Sequence, residues 1–292
     1  MTVVSCSIDE RYVNPLFEVF DGGDFVLTSY RDVEDSLTTM QIFLPCAEDA
    51  PRAAAALVEA GKIVGVDLSP ATGFMPDEDW KLSYRKHFKT EVISPRLVVR
   101  PPWEEYAPSP GQKVLTLDPG IAFGTGQHPT TRACLEYIDR LAVERPGRTF
   151  LDVGCGSGIL AIAAALEGFR GVRGFDIDPD AVRNANENAA ANGLDIRFSR
   201  GDLSNLSATA PMKNIDGGPV ADVVAANVLG PILVRFAREI ASTVAPGGML
   251  IVSGILDELY PEVRDAYAAL GFAEESNRLI GEWRTGLLFT RA

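Results

Sequence analysis

Strand-like and helix-like runs alternate along the last two-thirds of this chain, and that alternation restricts the fold more than any other feature. Residues 149–153, 171–175, 196–199, 220–225 and 249–253 are short apolar runs, and helical patterns at 160–167, 181–192, 231–244 and 258–270 separate them. Parallel neighbours need a crossover, and a helix is the usual one. The pattern therefore predicts an α/β fold, a doubly wound and mostly parallel sheet with helices on both faces, over residues 111–292. Residues 287–290 offer one more strand.

Residues 1–70 read differently. Runs at 3–8, 25–30, 37–44 and 63–68 are strand-like, with a short helix at 14–20 interrupted by Pro15 and a longer one at 47–60 ending at Gly61. The order βαββαβ predicts a small α+β domain of ferredoxin-like topology. Residues 71–110 are expected to be a linker. Pro76 opens a helix with Asp77, Glu78 and Asp79 in its first turn and Arg85, Lys86 and Lys89 near its end, an order that complements the helix dipole. Trp80, Tyr84 and Phe88 fall on one face of it. Four prolines between Pro101 and Pro110 then mark a boundary.

The rest of the sequence narrows the function. No apolar stretch among the 292 residues is long enough to cross a bilayer, and residues 1–8 lack the features of a signal peptide, so a cytoplasmic protein is expected. The four cysteines form no CxxC pair and only His87 and His128 are present, so no metal site is expected. A net charge of −13 argues against direct nucleic-acid binding and favours a basic partner. Residues 1–70 hold 12 acidic and 4 basic side chains, a net −8.

The chemistry centres on Asp152-Val-Gly-Cys-Gly-Ser-Gly-Ile-Leu160, between a strand-like run and a helix-like one. Gly154 and Gly156 let the backbone approach a ligand closely. A dinucleotide fingerprint would set its third glycine one residue later than Gly158. Asp152 would repel a pyrophosphate, but it would attract the ammonium and sulfonium groups of S-adenosyl-L-methionine. Asp176 ends the next strand, at a spacing where an acid commonly binds ribose hydroxyls. Asp178 suits the cap of the following helix, with Pro179 in its first turn. Asp202 reads either as a contact to the adenine or as a turn acid. Asn227 follows the fourth strand, where it would sit over the reacting centre or cap a helix before Pro231. His128 is either a base or a structural loop residue. Methyl transfer needs alignment and desolvation rather than a dedicated base, so no catalytic residue is assigned.

Four motifs carry a resemblance. Asp118-Pro-Gly-Ile-Ala-Phe-Gly-Thr-Gly-Gln-His-Pro-Thr-Thr131, Leu151 to Leu160, Asp176-Ile-Asp-Pro179 and Ala226-Asn-Val-Leu229 resemble those of the PrmA-type ribosomal-protein methyltransferase family. Gly281-Glu-Trp283-Arg resembles that family's closing segment, and the resemblance covers nearly the whole chain. It implies a class I methyltransferase domain behind a ferredoxin-like substrate-recognition domain. It places cofactor contacts on Thr131, Gly154, Asp176 and Asn227, with Phe123 and Gly124 bordering the cofactor. It also implies transfer of methyl groups from S-adenosyl-L-methionine to lysine side chains and the N-terminal amine of the large-subunit ribosomal protein L-eleven. Gln127 stands where the family commonly has threonine. The alternative expectation is the same chemistry on another protein or on a small amine.

Overall fold

The computed structural model describes residues 2–20, 25–30, 36–44, 46–74, 88–118, 128–205 and 220–290. The chain forms two compact units, Met1–His87 and Phe88–Ala292.

In the first unit, β1 (Thr2–Ile8), β2 (Leu27–Tyr30), β3 (Thr38–Leu44) and β4 (Ala71–Phe74) form one sheet in the order β2-β3-β1-β4. All three pairings are antiparallel. Helices α1 (Val13–Phe20) and α2 (Ala50–Val64) complete the ferredoxin-like order. Alternate residues Val4, Cys6 and Ile8 of β1 and Met40, Ile42 and Leu44 of β3 point into one core with Leu16, Ala53 and Leu57 of the helices. Pro15 lies in the first turn of α1, where a missing N–H costs nothing.

The fourth strand corrects the sequence reading. Residues 63–68 are not a strand. Helix α2 runs through Gly61 to Val64 and stops at Gly65, whose φ of +79° is the left-handed conformation that ends helices. Gly61 is a packing position instead, since a Cβ there would lie 2.7 Å from Leu68 Cγ. The strand forms at Ala71–Phe74, on the far edge of β1. The helix expected over residues 76–89 lies outside the described residues up to 87.

The second unit starts with β5 (Glu91–Val92), β6 (Leu97–Arg100) and β7 (Lys113–Thr116), a small sheet in that order. The proline-rich stretch is therefore a loop between two paired strands of this unit, not a domain boundary. Glu167, its side chain fully buried, accepts from Arg96 and from Lys113 at 3.1 Å, fastening this sheet to the helix that carries Glu167.

The main sheet contains β8 (Thr149–Val153), β9 (Arg170–Asp176), β10 (Arg197–Arg200), β11 (Ala221–Asn227), β12 (Val244–Leu256), β13 (Phe272–Ile280) and β14 (Trp283–Thr290). Their order is β10-β9-β8-β11-β12-β14-β13, with β14 antiparallel to both neighbours and the other pairings parallel. Neighbouring residues serve opposite faces. Phe150, Val223, Ala225 and Ile251 pack beneath α3 (Pro129–Glu144), α4 (Ile159–Glu167) and α5 (Pro179–Ala191). Leu151, Val224, Ala226 and Val252 pack beneath α6 (Gly230–Arg235), α7 (Ala237–Ser242) and α8 (Tyr260–Ala268). The helix expected at 231–244 is two short ones, divided at Phe236, whose φ of −108° is off the helical value. Helix α3 and strand β13 were not foreseen.

Candidate active site

Helices leave the adjacent strands β8 and β11 for opposite faces of the sheet. The crevice this opens at their carboxyl ends is where doubly wound folds bind ligands. A cavity of about 660 Å³ lies there, within the range of small-molecule sites.

The turn after β8 is shaped by its glycines. Gly154, Gly156 and Gly158 hold φ of 69°, 52° and 80°. The amides of Gly154 and Cys155 both donate to the Phe175 carbonyl at 3.0 Å. A side chain at Gly154 would meet Val228 Cγ1 at 2.7 Å, and one at Gly158 would meet Ala185 Cβ at 2.9 Å. The backbone thus lies bare along the cavity and close to the β11 loop.

Asp176, at the end of β9, straps this turn. Its Oδ2 accepts from the Gly156 amide at 2.9 Å and its Oδ1 from the Asp178 amide at 3.0 Å. Asp178 caps α5, accepting from the Asp180 amide at 2.8 Å with Pro179 in the first turn. Asp178 is therefore the helix cap, and Asp176 is the one of the two that lines the cavity. Asp152 lines it too, from below. Its Oδ2 accepts from the Ala161 amide at 3.2 Å. Burial pushes this carboxyl up to about 7, against the pull of that amide and with the added repulsion of Asp176.

Gly154, Gly156, Asp176 and Asn227 all border the cavity, whereas Thr131 stands behind it. Thr131 is fully buried in the first turn of α3. Its Oγ1 accepts from Asn227 Nδ2 at 3.4 Å, and Asn227 Oδ1 is buried without a partner. Asp202 is a turn acid that also lies at the cavity. It accepts from the Ser204 amide at 2.8 Å, which holds its carboxyl below the usual range. His128 caps α3, its Nδ1 lying 2.7 Å from Thr130 Oγ1. Its ring packs edge-on against Trp283 at 5.0 Å, and burial lowers its pKa. Phe123, Gly124 and Gln127 lie outside the described residues.

Sequence reasoning missed most of the apolar wall, including Leu203, Leu229, Ile232 and Phe236, and it missed Gly254. A glycine within a strand was the available signal for Gly254. Its φ is +84°, and the β12–β14 register shifts between Val252 and Ile255. No lysine or arginine is among the described residues bordering the cavity. These acceptors suit hydroxyl, amine and sulfonium groups and do not suit a pyrophosphate.

The sheet order, the reversed strand β14 and the acid-and-glycine turn define a class I methyltransferase fold. A family model described as "Ribosomal protein L11 methyltransferase (PrmA)" matches residues 68–289. The chain belongs to that family; residues 1–67 lie outside the match. A ribosomal protein L11 methyltransferase of Geobacter sulfurreducens is 47% identical over 220 residues, which are 74% of this chain and 67% of that protein. One from Chloroflexus aurantiacus is 40% identical over 228 residues, 73% of this chain and 69% of that protein. The crystal structure of a ribosomal protein L11 methylase from Lactobacillus delbrueckii subsp. bulgaricus aligns with a TM-score of 0.58 at 30% identity, covering 70% of this chain and 99% of that one.

Proposed function

We propose that this chain transfers methyl groups from S-adenosyl-L-methionine to amines of the large-subunit ribosomal protein L11, lysine side chains and the N-terminal amine among them. The observation that carries this reading is the cavity's set of acceptors. Three carboxyl side chains, Asp152, Asp176 and Asp202, and an underbonded amide border a largely apolar space that no described lysine or arginine borders. The residues fit the methyl donor. Asp176 would hold the ribose hydroxyls, the Gly154–Gly156 backbone and Asp152 the amino-acid end, and Leu203 and Phe236 the adenine. When bound, the donor supplies a methyl group on a cationic sulfur. The protein's own part is to align, to exclude water and to place negative charge near that cation.

Residues 1–74 select the protein substrate in this reading. The net −8 of residues 1–70 favours encounter with a basic ribosomal protein. No helix among the described residues is long and apolar enough to cross a membrane, and the cytoplasm, where ribosomal proteins are made, is the proposed place of action. Incubating the purified protein with labelled S-adenosyl-L-methionine and purified L11 tests the reading. Label on L11 amines is expected. No label on L11 would overturn the assignment.

Two side chains have predictable effects on donor binding. Replacing Asp176 by alanine is expected to weaken binding at least several-fold, because a ribose contact and the strap on Gly156 are lost together. Unchanged affinity by calorimetry would remove Asp176 from the site. For Asp152 the sign follows from its raised pKa, about 7 in the fold against an ordinary 3.8. Protonated Asp152 favours the unliganded fold, so that contribution is present at low pH and is lost as pH rises through about 7. A cationic ligand favours the ionised form. Donor affinity should therefore rise with pH up to about 7, by as much as tenfold per unit, with proton release on binding. In Asp152→Asn the dependence should flatten. A wild-type affinity that does not change between pH 5.5 and 8 would refute this.

A further inference from the structure

Strand β7 is the edge of its small sheet, and its free side meets helix α5. The Lys113 and Leu117 amides donate to Arg96 and Arg100 on the β6 side, so Thr116 and Asp118 face the other way. The Thr116 amide donates to Asn192 Oδ1 at 2.8 Å, and Asn192 Nδ2 donates back to the Thr116 carbonyl at 2.6 Å. One turn earlier, Asn188 Oδ1 accepts from the Asp118 amide at 3.1 Å. The spacings match, since four helical residues rise about 6 Å and two strand residues about 6.6 Å. Two side-chain amides thus continue the sheet as a further strand would. Asn188 makes one contact of another kind. Its Nδ2 donates to the Ser157 carbonyl at 3.0 Å, inside the glycine turn after β8. Asn188 and Ser157 are both buried. Asp176 straps that turn at the Gly156 amide, and Asn188 holds the next residue from the α5 side. Gly158 presses on Ala185, three residues before Asn188 on the same face, so α5 is seated against the turn.

Resting on the proposed function, we infer that Asn188 is a positioning residue for the methyl donor. It does not border the cavity, and it acts through the backbone it holds. One end of its amide fixes the turn that lies under the donor's amino-acid end in that reading. The other end fixes Asp118, which opens the segment leading to His128 and α3. The two bonds set the glycine turn and the root of that segment in register with each other. A donor binds most tightly to a turn already in its binding shape. A turn that holds this shape about a tenth of the time binds about ten times less tightly. Asn192 makes as many bonds to the backbone, but they reach Thr116 of β7 and Asn188 of its own helix. It therefore supports the fold without touching the turn.

The test uses the full chain and a matched pair of variants. Leucine has the shape of asparagine without its polar ends, so Asn188→Leu removes the bonds to Asp118 and Ser157, and Asn192→Leu removes both bonds to Thr116. Both should lower the melting temperature to a similar extent. Only Asn188→Leu is expected to weaken S-adenosyl-L-methionine binding, read by calorimetry, by about tenfold. Asn192→Leu should stay within about twofold of wild type, because the population of the binding-competent turn is unchanged. At saturating donor, transfer to purified L11 by Asn188→Leu should return to within about threefold of wild type, so that the loss falls on the donor KM and not on kcat. The positioning role falls if Asn188→Leu binds the donor as wild type does, or if Asn192→Leu weakens donor binding as much as Asn188→Leu. A rate deficit that saturating donor does not relieve would also overturn it. If Asn188→Leu does not fold, Asn188→Ala and Asn192→Ala carry the same comparison. Failure of wild type to bind the donor or label L11 would instead remove the proposed function itself.

Discussion

Gly254→Ala is expected to destabilise the catalytic unit by about 3 kcal/mol and to lower methyl transfer sharply. Two costs add. At a φ of +84° an alanine is strained by roughly 1–2 kcal/mol. The added Cβ would also fall inside contact distance of the Val228 carbonyl oxygen and 2.8 Å from its carbon. That neighbour is backbone, so no rotamer change relieves the overlap. Val228 must move, and Asn227 moves with it. Overpacking of this kind costs about 1–3 kcal/mol, and the sum corresponds to a melting-temperature loss of roughly 6–12 °C. Gly247 is the control. It lies in the same strand with φ of +70°, and a Cβ added there would meet nothing within 4 Å, so Gly247→Ala isolates the backbone strain. Equal melting temperatures for the two variants would show that the approach to Val228 is not what requires glycine.

Removing residues 1–74 is expected to leave donor affinity within about twofold of the full chain and to abolish transfer to L11. The donor cavity is bordered only by residues 128–283 among those described. The second unit also has its own two cores, one on each face of its main sheet. Loss of recognition should appear as a fall in kcat/KM of roughly a thousandfold or more, equivalent to about 4 kcal/mol of binding energy used to present the amine. The cut belongs after Phe74 because β4 pairs with β1. A cut at residue 70 would strand β4, whose four residues are all exposed. A truncated protein that still labels L11 efficiently would show that recognition lies in residues 75–292.

The sequence was most readable where one signal acted locally. The strand–turn–helix at Asp152–Leu160 and the cap at Asp178–Pro179 depend on residues a few positions apart, and both appear as read. The doubly wound alternation was equally plain, because the central strands β8, β11 and β12 are apolar and buried on both faces. Long-range balances were harder to read. Residues 63–68 alternate like a strand, but the glycine with positive φ is Gly65 and the one that admits Leu68 is Gly61, so the helix runs on. Strand β13 carries Glu274, Glu275, Asn277 and Arg278 on an edge and has no apolar period to find. Helix α3 was hidden behind a glycine-rich loop that drew attention to its chemistry. With it went the contact between Thr131 and Asn227, residues 96 positions apart that no spacing rule connects. The apolar wall of the cavity was invisible for a similar reason, since Leu203, Leu229 and Phe236 meet only after three strands have aligned.

Strand β14 follows β13 in the chain but lies between it and β12. During synthesis the stretch that will become β13 must therefore wait beside an unfilled place until residues 283–290 arrive. Trp283, which packs on His128 at the cavity, arrives with them. At ordinary translation speeds of about 5–20 residues per second, the roughly 200 residues of this unit take roughly 10 to 40 s to emerge. The N-terminal sheet closes on itself well before that. A nascent chain would hence pass through a stage with a finished first unit and a cavity still missing one wall, vulnerable to edge pairing and unable to carry out the reaction.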